Sequence, residues 1–271
     1  MLNQYLVATR YALLEHARNR FALGLLIVFV PIWFLAIGAM IPNAPVAFKL
    51  ASTNTLLQVN GHQLTILTAG FNALTLIMGF LIFAATLRGR EFDRRLILSG
   101  YSQPMLLLAK LTALAVVALA VAAYASSVLA LGFWHPRDLL LVGLGYATDA
   151  LIYGALGLLL GVLVTSELAG FFTLIMVSLL DTFLQAPVEN PLANKPFLAF
   201  FPSYGPMQIA VSGGFSDTLP IGAFGLALAW FVGFAVVGLG VFAWRTHVGG
   251  QRTLPLAHLA ATPVTEVSSS T

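Results

Sequence analysis

Six long stretches of this sequence are almost free of charge, and they constrain the fold more than any motif does. Phe21 to Ile41, Leu64 to Leu87, Met105 to Phe133, Leu139 to Val164, Leu168 to Gln185 and Leu219 to Trp244 each approach or exceed the roughly 20 apolar residues that a helix needs to cross a bilayer. Inside lipid a segment must satisfy its own backbone hydrogen bonds, so such runs fold as helices. Composition agrees. Hydrophobic residues make up 59% and charged residues 8%, with a mean hydropathy of +0.92, where a water-soluble domain carries about a quarter charged residues. The chain reads as an all-α integral membrane protein, with one six-span membrane domain over residues 1–250 and a polar, disordered cytoplasmic tail at 251–271.

The first twenty residues do not read as a signal peptide. Arg10, Glu15, Arg18 and Arg20 are spread through them, and the apolar run that follows is too long for a signal core. Leu2, Tyr5, Leu6, Thr9 and Leu13 recur at helical spacing opposite Asn3, Gln4 and Arg10, the pattern of an amphipathic helix lying on a membrane surface. With the N-terminus in the cytoplasm, Arg10, Arg18, Arg20, Arg88, Arg90, Arg94, Arg95, Lys110, Arg245 and Arg252 fall inside. Only Lys49, Arg137 and Lys195 fall outside. That bias places both termini in the cytoplasm of a cell-membrane protein. The net charge of +3 is too small to argue for nucleic acid, and the absence of cysteine removes disulfides and thiolate chemistry.

Between the second and third spans, Arg88 to Arg95 form the densest charge cluster in the chain, followed by apolar Leu96, Ile97 and Leu98. A short amphipathic helix is the expected conformation, ended by a turn over Ser99-Gly100-Tyr101-Ser102-Gln103-Pro104. Arginines alone would anchor the loop to anionic lipid. Glu91, Asp93 and Phe92 among them suit a protein docking surface better. On the fourth span Gly157 and Gly161 form a small-xxx-small pair that serves either packing within the chain or a dimer face.

Several of these features together resemble the ABC-2 type permease family over nearly the whole chain. They are the surface helix before span one, the charged helix around Arg90-Glu91-Phe92-Asp93, the turn at Ser99-Gly100, the long span with Lys110 near its start, and the Pro- and aromatic-rich segment before the last span. The resemblance implies the membrane half of an ATP-driven exporter, working as a dimer of permease chains with cytoplasmic ATPase subunits. Arg90, Glu91, Phe92, Asp93, Arg94 and Arg95 would then couple to the ATPase, with Glu167 in the Thr165-Ser166-Glu167 turn as a second contact. No G-x-x-x-x-G-K-[ST] loop occurs, so ATP and Mg are expected in the partner and no cofactor in this chain.

Charge within the spans marks a second place to look. Asp149 and Asp181 are ionisable at a depth where charge costs several kcal/mol unless it meets water or a partner. Both are substrate-pathway candidates, with Asn72, Phe171, Phe172 and Met176 as weaker ones; packing is the competing reading for the aromatics. Pro187 to Pro206, interleaved with Phe197, Phe200, Phe201 and Tyr204, suggest short interfacial helices before the last span. Two other classes fit part of the pattern. An ion-coupled secondary transporter would use Asp149. An intramembrane serine protease would use Ser216 of Gly214-Phe215-Ser216, but no histidine lies in any span to act as its base.

Overall fold

Asn19 sets the first break in the helical chain. Its side-chain oxygen accepts the Ala22 amide at 3.1 Å, an N-cap that separates helix α1 (Leu2–Arg18) from helix α2 (Arg20–Met40). The protein is described here by a computed structural model over residues 2–190 and 192–248. Among those residues, six helices are long and apolar enough to cross a membrane. They are α2, α3 (Gly61–Leu98), α4 (Gln103–Gly132), α5 (Leu139–Leu163), α6 (Glu167–Gln185) and α8 (Ile221–Val248). Helices α3 and α6 contain the spans read there from hydropathy, and the other four spans overrun their helices by one or two residues. The chain is a multi-pass, largely helical membrane protein; the tail from Gln251 lies outside the described residues.

The charged segment corrects one expectation, because it forms no separate helix. Helix α3 runs unbroken for 38 residues, through the second span and on through Arg88 to Leu98. A change from apolar to charged composition does not break a helix, and no cap interrupts this one before Ser99. There the amides of Ser99, Gly100 and Tyr101 turn back onto the carbonyls of Arg95, Ile97 and Leu96, each at 3.0 Å. Gly100 takes φ +90°, which glycine adopts without a steric penalty. At 1.5 Å per residue α3 is about 57 Å long, against about 30 Å of hydrocarbon, so its charged end stands clear of the apolar layer.

Helices α3 and α5 form the centre. A Cβ on Gly157 would lie 2.5 Å from the Gly79 carbonyl oxygen, and one on Gly161 2.6 Å from Thr86 Cβ. The small-xxx-small pair therefore lets these two backbones approach within one chain. Helices α2, α6 and α8 stand at the periphery with apolar side chains outward, among them Ile27, Ile32, Phe172, Leu180, Val232 and Val236. In lipid such faces require no protein cover.

Two elements at the end opposite the charged segment differ from expectation, and the first of them is a hairpin in a chain expected to be all-α. Strands β1 (Pro45–Leu50) and β2 (Thr55–Asn60) make an antiparallel hairpin, with Val46 facing Val59 and Phe48 facing Leu57. Asn54 takes φ 53° in its turn, a conformation asparagine tolerates. The free edge of β1 is not left open. Asn194 Oδ1 accepts the Lys49 amide at 2.7 Å, and its Nδ2 donates to the Ala47 carbonyl at 2.9 Å. Gln208 accepts the Ala51 amide at 2.8 Å and donates to the Lys49 carbonyl at 3.1 Å. Two side-chain amides thus take the place of a third strand.

Gln208 belongs to the second such element, helix α7 (Tyr204–Phe215), which follows a 3-10 turn at Pro196–Phe200. The segment does contain short helices, but α7 is not an interfacial anchor. Residues Gly205 to Gly214 are all buried, and α7 packs between α5 and α8. A Cβ on Gly145 of α5 would meet Ala210 Cβ at 2.8 Å, and one on Gly205 would meet the Ala223 carbonyl at 2.6 Å. Glycines on both sides of the contact explain why a helix this short can be wholly enclosed.

Candidate functional site

The charged end is built from α1, the last third of α3, the start of α4 and the α5–α6 turn. Its residues divide into two sets. Arg90 turns inward: Nε donates to the Gly161 carbonyl at 2.6 Å and an Nη donates to the Val164 carbonyl at 2.5 Å. It neutralises the carbonyl end of α5, where a cation is favoured. Asp93 is buried and pairs with Lys110 of α4, which fixes the exit of α3 against the entry of α4. These two of the expected coupling residues hold the bundle together. Glu91, Phe92, Arg94 and Arg95 are exposed, Phe92 at 65%. Glu167 opens α6 and meets Arg88 at 3.4 Å across two exposed side chains, a contact worth little in water.

Helix α1 leans on this end. Tyr5 shares a hydroxyl contact with Thr112 at 2.9 Å, and the Tyr101 hydroxyl donates to the Gln4 carbonyl. The predicted apolar face splits: Tyr5, Thr9 and Leu13 are half-buried against the bundle, while Leu2 and Leu6 point outward with Val7, Tyr11 and Leu14. A cleft of about 460 Å³ lies between α1, α3 and α4, with Tyr11, Glu15, Phe92, Leu96 and Leu106 in its walls. A second of about 510 Å³ continues it past Arg88, sharing Tyr11, Glu15 and Phe92. Glu15 is exposed on its outer side, and partial desolvation in this groove raises its carboxyl above its ordinary 4.5, with Lys110 and Arg88 opposing and Asp93 adding to the rise. Burial, then Lys110, lowers the His16 imidazole below 6.5.

The second concentration of charge lies inside the bundle, and both acidic candidates belong to it. Asp149 of α5 is 0% exposed and Asp181 of α6 1%. Ser203, immediately before α7, joins them. Its hydroxyl donates to Asp149 Oδ1 at 2.7 Å, and its amide donates to Asp181 Oδ2 at 2.9 Å. Tyr153 donates to the same Oδ2 at 2.7 Å, and Gln185 Nε2 to Oδ1 at 2.6 Å. Asp181 thereby receives donors from α5, from its own helix and from the N-terminal end of α7, where an anion is favoured. Asp149 Oδ2 and Gln185 Oε1 have no partner.

Gln185 stands four residues after Asp181 on α6, so i, i+4 spacing was a readable signal for it; Tyr153 stands four residues after Asp149 but bonds Asp181 across the helices. Ser203 had none, since it comes from a distant turn.

The weaker pathway candidates separate. Asn72 joins α3 to α6 through Thr182 at 2.9 Å and lines a cavity of about 320 Å³ with Trp33, Thr65, Thr68 and Phe183. Two buried polar atoms there, Asn72 Oδ1 and Trp33 Nε1, are unpaired. The aromatic group forms no common lining. Phe171 packs edge-on against Phe80 and Phe83 at 5.0 and 5.3 Å between ring centres. Phe172 and Met176, one helical turn apart, face outward instead. Ser216 caps the C-terminus of α7 and shares a hydroxyl contact with Thr218 at 2.9 Å. Among the described residues no group of three or more His, Cys, Asp or Glu could hold a metal. No protein-family model and no curated protein matches this chain.

Proposed function

We propose that this chain is the membrane-spanning permease subunit of an ATP-driven exporter of ABC-2 type. Its charged end faces the cytoplasm and docks a separate ATPase, and a second permease chain completes the transporter. The observation that carries the reading is the outward row Glu91, Phe92, Arg94 and Arg95 at the end of α3, held beyond the apolar layer by a helix too long to end within it. Both signs of charge around an exposed aromatic, beside an apolar-walled groove under α1, suit a protein surface. A row that served only anionic lipid would gain nothing from Glu91. Glu167 and Arg88 extend the surface to the α5–α6 turn. ATP and Mg bind in the partner, and the charge-poor spans favour a hydrophobic or amphipathic cargo such as a drug, an antibiotic or a lipid. The Asn72 cavity, with one unpaired donor and one unpaired acceptor, is the place for its polar group.

The test is the triple reversal Glu91→Lys, Arg94→Glu and Arg95→Glu. The tagged chain, purified in mild detergent, is expected to retain ATPase activity that the triple variant loses, with the thermal stability of the permease unchanged. A triple variant that keeps its ATPase and its ATP-dependent export overturns the reading. The buried pair Asp149 and Asp181 supports a second reading, an ion-coupled secondary transporter. That protein would move cargo in ATP-free vesicles on an imposed proton or sodium gradient, and the proposed exporter would not.

A further inference from the structure

We propose that the cleft between strand β1 and residues 192–204 is a binding site for a phosphate group, with Lys49 and Lys195 as its two cations. The cleft lies at the end opposite the charged segment and encloses about 200 Å³. Lys49, Asn194, Lys195, Tyr204 and Gln208 line it, with Asn54 from the hairpin turn, and the rest of its wall is alanine and proline. No carboxylate belongs to it. The two lysines come from different elements far apart in sequence. Their ammonium groups form no hydrogen bond or ion pair among the described residues.

The neutral groups of the wall favour an anion as well. Asn194 Oδ1 and Gln208 Oε1 already accept the Lys49 and Ala51 amides, and each side-chain nitrogen gives one hydrogen to a β1 carbonyl. Each NH2 keeps a second hydrogen while its oxygen is engaged. Gln208 is only 3% exposed, so this part of the wall is a fixed piece of the fold. The Tyr204 hydroxyl forms no bond among the described residues and is a further donor. Two ammonium groups, a phenol and two amide N–H groups outnumber the two oxygens of a carboxylate and suit the larger set on a phosphate. The volume is below the roughly 300–1,000 Å³ of sites for drug-sized ligands. It suits one phosphate and the start of its ester chain, not a whole cargo molecule.

No carboxylate of the chain takes this place. Of the acids at the same end, Asp138 caps α5, Asp217 meets Arg137 at 3.4 Å, and Glu189 lines the Asn72 cavity. Two like charges that share one cleft repel each other, and an anion between them reverses the sign of that interaction. Occupancy joins β1 to the segment before α7 through Lys49 and Lys195, reinforcing the contacts that Asn194 and Gln208 already make. A lipid headgroup and a soluble phosphate ester both carry the chemistry this site recognises. The inference needs neither the ATPase nor an orientation in the membrane, so it stands or falls independently of the exporter reading.

Protection of the two lysines from acylation tests it. The full chain, purified in phosphate-free maltoside detergent, is treated with a neutral N-hydroxysuccinimide ester, and modification is read by peptide mass spectrometry. Inorganic phosphate, at an ionic strength held constant with chloride, is expected to slow acylation of Lys49 and Lys195 about tenfold at about ten times the dissociation constant, with one half-saturating concentration for both. Phosphatidylglycerol added to the micelles replaces phosphate in a second arm. Protection by inorganic phosphate, with or without the lipid, assigns a soluble ligand, and protection by the lipid alone assigns a headgroup; either supports the site. Lys195→Gln should raise the half-saturating concentration for Lys49 about tenfold, and Tyr204→Phe by a smaller factor. Failure of both probes to protect either lysine overturns the site, and that measurement needs no variant to fold. Different midpoints for the two lysines, or protection of Lys49 unchanged in Lys195→Gln, overturn the single shared phosphate. Equal protection by acetate overturns the choice of phosphate over a carboxylate.

Discussion

Asp149 and Asp181 are enclosed almost completely and are held by a tyrosine, a glutamine and a serine from three different segments. Glu91, Arg94 and Arg95, at the far end of the longest helix, are exposed, and their side chains form no hydrogen bond or ion pair among the described residues. Both places gather charge in a sequence that has little of it. In the first the chain supplies the partners, so the charge contributes to the fold. In the second the partners are missing, so the charge is free to act on something outside. Arg90 and Asp93, interleaved with the exposed row, show how closely the two uses can alternate: successive residues of one helix brace the bundle or face away from it.

The largest effect that would test this contrast is expected at Asp181. Asp181→Ala strands the Tyr153 hydroxyl, the Ser203 amide and the Gln185 amide in the interior, and should destabilise the protein by at least about 3 kcal/mol in thermal unfolding. An unchanged melting temperature would break the comparison at its buried side. Arg90→Ala comes next, at about 2 kcal/mol, because two carbonyls at the end of α5 lose a charged donor. A negligible loss there would move Arg90 into the docking set. Reversing Glu91, Arg94 and Arg95 together should change stability by less than about 0.5 kcal/mol while abolishing ATPase retention.

The smallest effect is a pH dependence at Glu15. Its carboxyl is raised by partial desolvation, so its contribution to docking α1 is complete below about pH 4.5 and is lost as pH rises through the raised value. Glu15→Gln should remove that loss, slowing amide exchange in α1 at pH 7 and raising the melting temperature by about 1 °C or less. His16, lowered by burial and by Lys110, acts in the opposite sense and weakens the docking as pH falls below about 6.5.

The spans were legible because a hydrophobic run longer than the bilayer leaves the backbone one option. The hairpin was not, since Val46, Phe48 and Leu50 alternate for too few residues to stand out beside six greasy helices, and its edge is completed by Asn194 and Gln208 from far along the sequence. Prolines and aromatics from Pro187 to Pro206 signalled turns correctly, but the burial of α7 depends on Gly145 of α5 and Gly205 of α7, whose neighbours Ala210 and Ala223 reach them only in three dimensions. Of the site residues, the outward row was readable as an anomaly of composition. That Asp149 and Asp181 share one serine was not, because no spacing in sequence reports a contact across three segments.

The unbroken course of α3 has a mechanical consequence. A stiff rod about 57 Å long that pivots near its middle moves its two ends in opposite directions, and a tilt of about 5° displaces each by about 2.5 Å. One end carries Glu91 and Arg94; the other, at Gly61, emerges directly from β2. With no joint between them to absorb a push, leverage at the first reaches the hairpin as a sideways stroke.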